Sequence, residues 1–412
     1  MPEFLDLLDP DAALDRFLRA IPECQLRTEI VEVKDSLGRI VAKGITSNEF
    51  SPNFSRSTVD GFAVIASDTF GASESMPAYL NLLGEVPMGR QADMSLEPGM
   101  TAMIHTGGML PHKADAVIMI EFTGTSRPGE VEIYKAVAPG ENVILKGEDI
   151  KPGDHIISKG TLIRAQELGG MLAVGIKMIE VFQKPRISIL SSGDELVPPE
   201  ITPRPGQVRD LNSYTIKALV EKTGGIPIAG GIMPDKINDI RIMMKRAFKE
   251  CDMLIVTAGS SISTRDFTAQ IINELGSPGV LVHGINIRPG KPTILAVCDG
   301  KPVVGLPGNP VSAFTIARLF VRPVMDKLQG LSSPRILPQV DSILSINIPS
   351  RAGRTDYVPV KLHNRGKRLY AEPIFYKSNL IFSLVRADGI AYVPRDSNGI
   401  PAGKKIKVFL LD

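Results

Sequence analysis

The stretch Met253-Leu-Ile-Val-Thr-Ala-Gly-Ser-Ser-Ile-Ser-Thr-Arg-Asp-Phe-Thr268 decides how the rest of the chain is read. "MLIVT" has the length and composition of a buried strand. A run of small and hydroxyl residues, Ala258 to Thr264, follows it. Arg265-Asp266 then stand where a helix can begin, so a helix is expected over 266–275. A strand that passes through a small-residue loop into a helix is one unit of a parallel, helix-covered sheet. The same grammar surrounds it. "RISILSS" (186–192) reads as a strand, 212–225 as a helix, "PIAGGI" as a strand and 235–250 as a helix. Strands at 293–298 and 302–306 flank Asp299-Gly300, a hairpin signal. A long helix, about 310–328, starts at Pro310.

On either side the pattern changes. Asp9-Pro10-Asp11 reads as a capped helix start, with Leu14, Phe17, Leu18 and Ile21 at helical spacing. "TEIVEVKDSLGRIVA" (28–42) reads as a hairpin turning near Asp35–Gly38. Residues 53–140 are rich in strand formers and turns, a helix is expected near 165–174, and strands return beyond Pro334. The expected fold is therefore α/β plus β. A central doubly wound, mostly parallel sheet is flanked by β-rich domains in an elongated multidomain chain. The divisions are a composite N-terminal unit (1–52 with 141–180), an inserted β-rich domain (53–140), an α/β domain (181–330) and a C-terminal β domain (331–412).

Composition excludes several classes. The chain has 412 residues, too many for one ordinary core, and is 43% hydrophobic. Its 47 basic and 45 acidic residues leave a net charge of +2, not the basic excess of a nucleic-acid binder. No apolar run approaches the roughly 20 residues of a membrane span. The acidic N-terminus does not read as a signal peptide. Cys24, Cys251 and Cys298 make neither a disulfide framework nor a zinc spacing. A cytoplasmic location is the default expectation.

In such a sheet ligands bind beyond the carboxyl ends of the strands. Three loops leave strand ends: Ser191–Leu196, Ala258–Asp266 and Gly305–Ala313, "GLPGNPVSA". Gly- and Ser-rich loops let backbone N–H groups approach an anion, and a helix start adds partial positive charge. Any one such loop is an ordinary strand-to-helix turn. Three at one edge point to a phosphate-like ligand, with Gly259, Ser261, Pro307, Gly308 and Asn309 around it. Glu195, Asp235 and Asp266 lie in or near these loops, and Asp60 and Asp149 lie in Gly turns elsewhere. Carboxylates beside an anion site serve a metal or accept ligand N–H groups, which suggests a nucleotide or heterocycle with Mg²⁺. Against that, Asp235 and Asp266 also suit N-caps, and Asp149 and Asp154 suit turns. In "INIRPGKPTIL", Arg288 and Lys291 flank a stiff Pro-Gly turn beside Pro292, a clamp for an oxyanion. The five histidines form no recognisable metal pair, and Met243-Met244 reads as core.

Taken together these motifs resemble the molybdopterin molybdenumtransferases, the bacterial MoeA proteins and the gephyrin E domain. The resemblance rests on "SRSTVDGFAV", "MIHTGGMLPHKADAVIMIE", "GENVILKGEDIKPGD", "SSGDELVPP", "GQVRDLNSY", "RPGKP", "GLPGNPVSA", "GRTDYVPV" and "SNLIFSLVRADGIAYVP", in order along nearly the whole chain. It implies conversion of adenylylated molybdopterin and molybdate into molybdenum cofactor with release of AMP. It implies molybdate contacts at Arg288, Lys291, Pro292, Arg354 and Ser378, and a pterin contact at Asp266. Asp60, Asp149 and Glu195 are implied in Mg²⁺-assisted loss of AMP, with Thr106 as a site neighbour. A four-domain homodimer and an adenylyltransferase partner are implied too. The chain departs from the family's Gly-Gly-x-Ser-x-Gly-x-x-Asp pattern, carrying Ala258 and Ser263 at two Gly positions. Such residues narrow a cradle and resist positive φ. An insertase, a molybdopterin carrier without turnover and a tungstate-using homologue all stay open at this point.

Overall fold

The computed structural model describes residues 7–23, 26–258, 262–375 and 377–411, and leaves the side chains at 258 and 262–266 undescribed. Helix α1 spans Pro10–Ala20, with proline in its first turn. Asp9 occupies the N-cap position but makes no capping bond. Its carboxylate instead pairs with Arg395, near the other end of the chain.

The central sheet is built from β1 (Arg186–Ser192), β2 (Ile226–Met233), β3 (Met253–Ala258), β4 (Pro278–His283), β6 (Ile294–Cys298) and β7 (Lys301–Pro307); the short β5 (Ile287–Arg288) lies outside it. Its spatial order is β2-β1-β3-β7-β6-β4. The first four strands run parallel, and β6 and β4 are antiparallel to their neighbours. The chain steps from β1 outward to β2, then back past β1 to β3, so the switch point lies between β1 and β3. Asp299 (φ 46°) and Gly300 (φ 80°) make the tight turn between β6 and β7, as the dipeptide predicts.

Alternation along the strands feeds two cores. Met253 and Ile255 point to the face covered by α1, by α2 (Asn212–Thr223) and by the helix after β7. Leu254 and Val256 point to the face covered by α3 (Ile237–Glu250) and α4 (Ile262–Asn273). Each fully buried aliphatic side chain contributes roughly 1.5–3 kcal/mol, and on β1 and β3 nearly every residue is buried. Met244 is fully buried, with Met243 packed against its cluster, as read from the sequence. Helix α4 starts at Ile262, earlier than expected. Ser263 thus has a right-handed helical backbone and Ala258 closes a strand, so neither position needs the positive φ that a glycine would favour. The helix after β7 runs as α5 (Pro310–Ile316), a π-turn (Ala317–Val321) and α6 (Arg322–Leu328). Pro323 has no N–H to give the carbonyl four residues back, and the turn ahead of it widens.

The last unit is a closed barrel of β8 (Gln339–Leu344), β9 (Thr355–Arg365), β10 (Arg368–Pro373), β11 (Gly389–Val393) and β12 (Lys405–Leu410). Pairings run β9-β10-β8-β12-β11 and back to β9. Val360, Ala371, Ala391, Val393 and Val408 fill it.

Ahead of the central sheet, strands at 61–64, 78–85, 100–104, 116–119, 123–124 and 130–133 form a six-stranded sheet with a core on each face. The expected hairpin over 28–42 is not formed. Thr28–Glu32 pairs with Met178–Phe182, and the 40–42 segment bonds the other side of that same strand. The two arms straddle a partner some 150 positions away because Val33, Val41, Ile179 and Val181 share one core with Met171 of the Ala165–Ala173 helix.

Candidate oxyanion site

The site grows from β5. This two-residue strand leaves the central sheet and pairs in parallel with the start of β9, Ile287 opposite Thr355 and Arg288 opposite Asp356. The Thr355 N–H donates to the Asn286 carbonyl (3.1 Å), continuing the ladder. The next turn, Pro289-Gly290, lies flat on α5. A Cβ on Gly290 would stand 2.4 Å from Ile316 side-chain carbons, at a φ of 111°. Only glycine fits that close approach, and it fixes where Arg288 and Lys291 emerge.

The result is a cavity of about 600 Å³ between the central sheet and the barrel. Arg288, Lys291, Arg354 and Lys377 line it, and among the described residues no carboxylate does. Pro292, Pro307, Asn309 and Ser378 complete its polar wall. Asn309 Nδ2 donates to Ser378 Oγ (2.9 Å), and the Val311 N–H donates to the Ser378 carbonyl (3.1 Å). The strand-end loop at 307–309 is thereby tied to the C-terminal segment. Gly308 sits beside the cavity, its carbonyl accepting from Asn212 Nδ2 (2.8 Å). Four cations in one cavity make a trap for an anion with several oxygens. All five molybdate contacts implied by the sequence therefore meet in one cavity, with Pro307 and Asn309.

Two features of the site were missed in the sequence. Lys377 lies one residue before Ser378. Asp356, 2% exposed, holds Arg354 through Nε (2.8 Å) and Nη2 (3.4 Å). It stands 3.7 Å from Arg288 Nη1 and accepts from Ser350 Oγ (2.9 Å). The motif "GRTDYVPV" contains it, but nothing local shows that it faces a cation from another part of the chain.

The expected carboxylates are arranged differently. Exposed Asp60 accepts from the Thr106 N–H (2.8 Å) and Oγ1 (3.2 Å), and those two bonds hold its carboxyl below the usual range. His105 approaches Asp60 at 3.6 Å and bonds Glu85 (3.0 Å), so this histidine belongs to the cluster. Asp149 lies in a loop whose backbone pairs with Ser51. Glu195 folds back over Gly193 at the end of β1. Among the described residues no three acidic, histidine or cysteine side chains gather where they could hold a metal. Asp60, Asp149 and Glu195 are not gathered into one three-residue group. Asp235 is no helix cap: α3 starts at Ile237 without a side-chain cap. Its carboxylate accepts from Ser192 Oγ (2.9 Å), and its N–H donates to Asp194 (3.0 Å), which ties it to the loop after β1. Asp154 does act in a turn, accepting from the Lys151 N–H (2.8 Å). Gly259, Ser261 and the Asp266 side chain lie outside the described residues.

The edge itself is as expected. β1, β3 and β7 are parallel and in register, Ser191 with Thr257 and Ala258 with Pro307, so their loops leave one side. Beneath it, Thr257 donates to Ser191 (3.0 Å), Ser191 and Ser213 share a bond (2.7 Å), and Ser213 is held by Asp210. No helix among the described residues is long and apolar enough to cross a membrane.

Comparison with known proteins agrees with this architecture. Residues 8–175 match the MoeA N-terminal region (domain I and II), 188–327 a "probable molybdopterin binding domain", and 341–411 the MoeA C-terminal region (domain IV). A Methanocaldococcus jannaschii protein named for molybdopterin biosynthesis is 36% identical over 92% of each chain. The molybdopterin molybdenumtransferase of a Nostoc species is 30% identical over 94% of this chain and 90% of its own. The crystal structure of the molybdopterin biosynthesis MoeA protein of Pyrococcus horikoshii superposes with a TM-score of 0.85 at 32% identity, covering 98% of this chain and all of that one. With the three matched regions in order and the likeness running end to end, the chain belongs to the MoeA family of molybdopterin biosynthesis proteins.

Proposed function

We propose that this chain inserts molybdenum into adenylylated molybdopterin, giving molybdenum cofactor and AMP. The observation that carries the reading is the cavity lined by Arg288, Lys291, Arg354 and Lys377, with no acid on it among the described residues. Molybdate is a tetrahedral dianion and suits such a wall. The guanidinium groups offer forked donors and the lysines point charges. Ser378 Oγ accepts from Asn309 and carries a proton that a hydroxyl can donate to an oxyanion oxygen. The family membership and the name of the Nostoc relative supply the rest of the substrate.

In this reading molybdate occupies the cavity, and the molybdopterin–AMP substrate runs from it along the strand-end edge. Gly259, Ser261, Asp266, Asp235, Pro307, Gly308 and Asn309 border the substrate. The cations offset charge on molybdate while water attacks the phosphoanhydride, whose P–O bond breaks to release AMP and leave the phosphate on molybdopterin. Asp60, Thr106, Asp149 and Glu195 act on the diphosphate. Asp60, Thr106 and Asp149 reach it from a second copy of the chain, while Glu195, in the loop after β1, acts from the strand-end edge of the same chain. An adenylyltransferase must supply the substrate and is the partner this reading calls for. The test is AMP release after molybdate is added to protein loaded with adenylylated molybdopterin. Release within turnover conditions is expected, and a parallel tungstate arm reads the choice of oxyanion. No AMP from authentic substrate with either anion overturns the proposal.

A further inference from the structure

Asp356 is the only carboxylate that meets the two arginines of the cavity among the described residues, yet it does not line that cavity. It lines a smaller space of about 120 Å³ behind Arg288, with Ile348, Pro349 and Phe375. One oxygen takes Arg354 Nε, and the other takes Ser350 Oγ, the second Arg354 nitrogen and the approach of Arg288. Arg288 comes from the central unit and Arg354 from the approach to the barrel, and the β5–β9 pairing sets Arg288 directly opposite Asp356. A buried carboxylate persists only when its charge is matched, and here two separate segments match it. The grip takes Arg354 Nε and Nη2, and the same arginine lines the cavity.

We propose that Asp356 is a positioning residue for oxyanion binding: it draws one arginine from each side onto a single carboxylate and fixes the donors that a tetrahedral anion meets. This rests on the oxyanion reading of the cavity. Asp356 could instead act only by neutralising charge, and the two roles predict opposite signs. Loss of a neutraliser strengthens anion binding at low ionic strength. Loss of a positioner weakens binding, and salt does not remove the effect, since screening acts on charge and not on geometry.

The experiment is calorimetric binding of molybdate and of tungstate to full-length parent, Asp356→Asn and Ser350→Ala, each at low and high ionic strength. It is joined by kcat and KM for AMP release. Asp356→Asn is expected to weaken oxyanion binding about tenfold at both ionic strengths, the scale of one misplaced charged hydrogen bond. KM for molybdate rises in step, while kcat at saturating molybdate and KM for the pterin substrate stay near the parent values. Ser350→Ala, which removes one neutral donor, gives a change of about two- to threefold in the same direction and serves if Asp356→Asn does not fold. Parent-like binding in a folded Asp356→Asn, or tighter binding at low salt that fades at high salt, overturns the positioning role alone. A parent protein that binds neither anion overturns the cavity reading with it.

Discussion

The cation cavity and the carboxylates Asp60, Asp149 and Glu195 are both drawn from residues far apart in the chain, yet only the cavity residues line one space in a single chain. Arg288, Lys291, Arg354, Lys377 and Ser378 converge because a strand pairing and two hydrogen bonds bring their segments together. Asp60 and Thr106 bond each other across a separate sheet, while Asp149 and Glu195 sit on other loops. The difference teaches that a site's donors assemble where backbone ladders cross from one unit to another. Residue type alone does not assemble them.

The strongest way to break the cavity is through its backbone. Gly290→Val sets branched carbon against Ile316 at a φ that valine resists. A loss of about 3 kcal/mol or more in stability is expected, read from the urea midpoint. Next, Arg354→Ala removes a forked donor and leaves Asp356 buried with less compensation. The expected loss in kcat/KM with molybdate is about 30- to 100-fold, with little change at Asp60, which NMR of its carboxyl reads. The third test asks how the two regions meet. In the homodimer we propose, Arg354→Ala and Asp60→Ala chains, each expected to be strongly impaired alone, recover roughly a quarter of parent activity when co-expressed, the statistical share of intact mixed sites. No recovery means that each chain works alone. The smallest effect concerns Thr106. Its two bonds lower the Asp60 pKa, so Thr106→Val, which removes the hydroxyl, moves that pKa upward toward the ordinary value in a carboxyl NMR titration. The sign follows: the Thr106–Asp60 contribution is present above the unfolded carboxylate pKa and is lost as pH falls through the folded one.

The central sheet was legible because buried strands and short helices announce themselves by length and period. Arg186–Ser192 and the Asp299-Gly300 turn stand where the sequence places them. What periodicity cannot carry is the partner. "TEIVEV" and "GRIVA" each read as strand, but only the shared core with Ile179 and Val181 puts a third segment between them. The start of α4 at Ile262 was hidden by small hydroxyl residues, which suit a loop as well as a first helical turn. The cavity residues were found through the family resemblance and the cationic turn. Asp356 was not, because an acid inside a strand looks like a solvent-facing residue until its opposite strand is known.

The two-rung ladder between Ile287-Arg288 and Thr355-Asp356 has a consequence for how the chain can be divided. A fragment that stops after α6 retains both layers of helices over the central sheet and every residue of their two hydrophobic clusters apart from the packing of Tyr357. It forfeits Arg354, Lys377 and Ser378 at one stroke. Such a truncated protein is expected to keep its grip on a pterin at the sheet's edge while becoming blind to the metal oxyanion, so that cargo and carrier recognition part company at a single peptide bond.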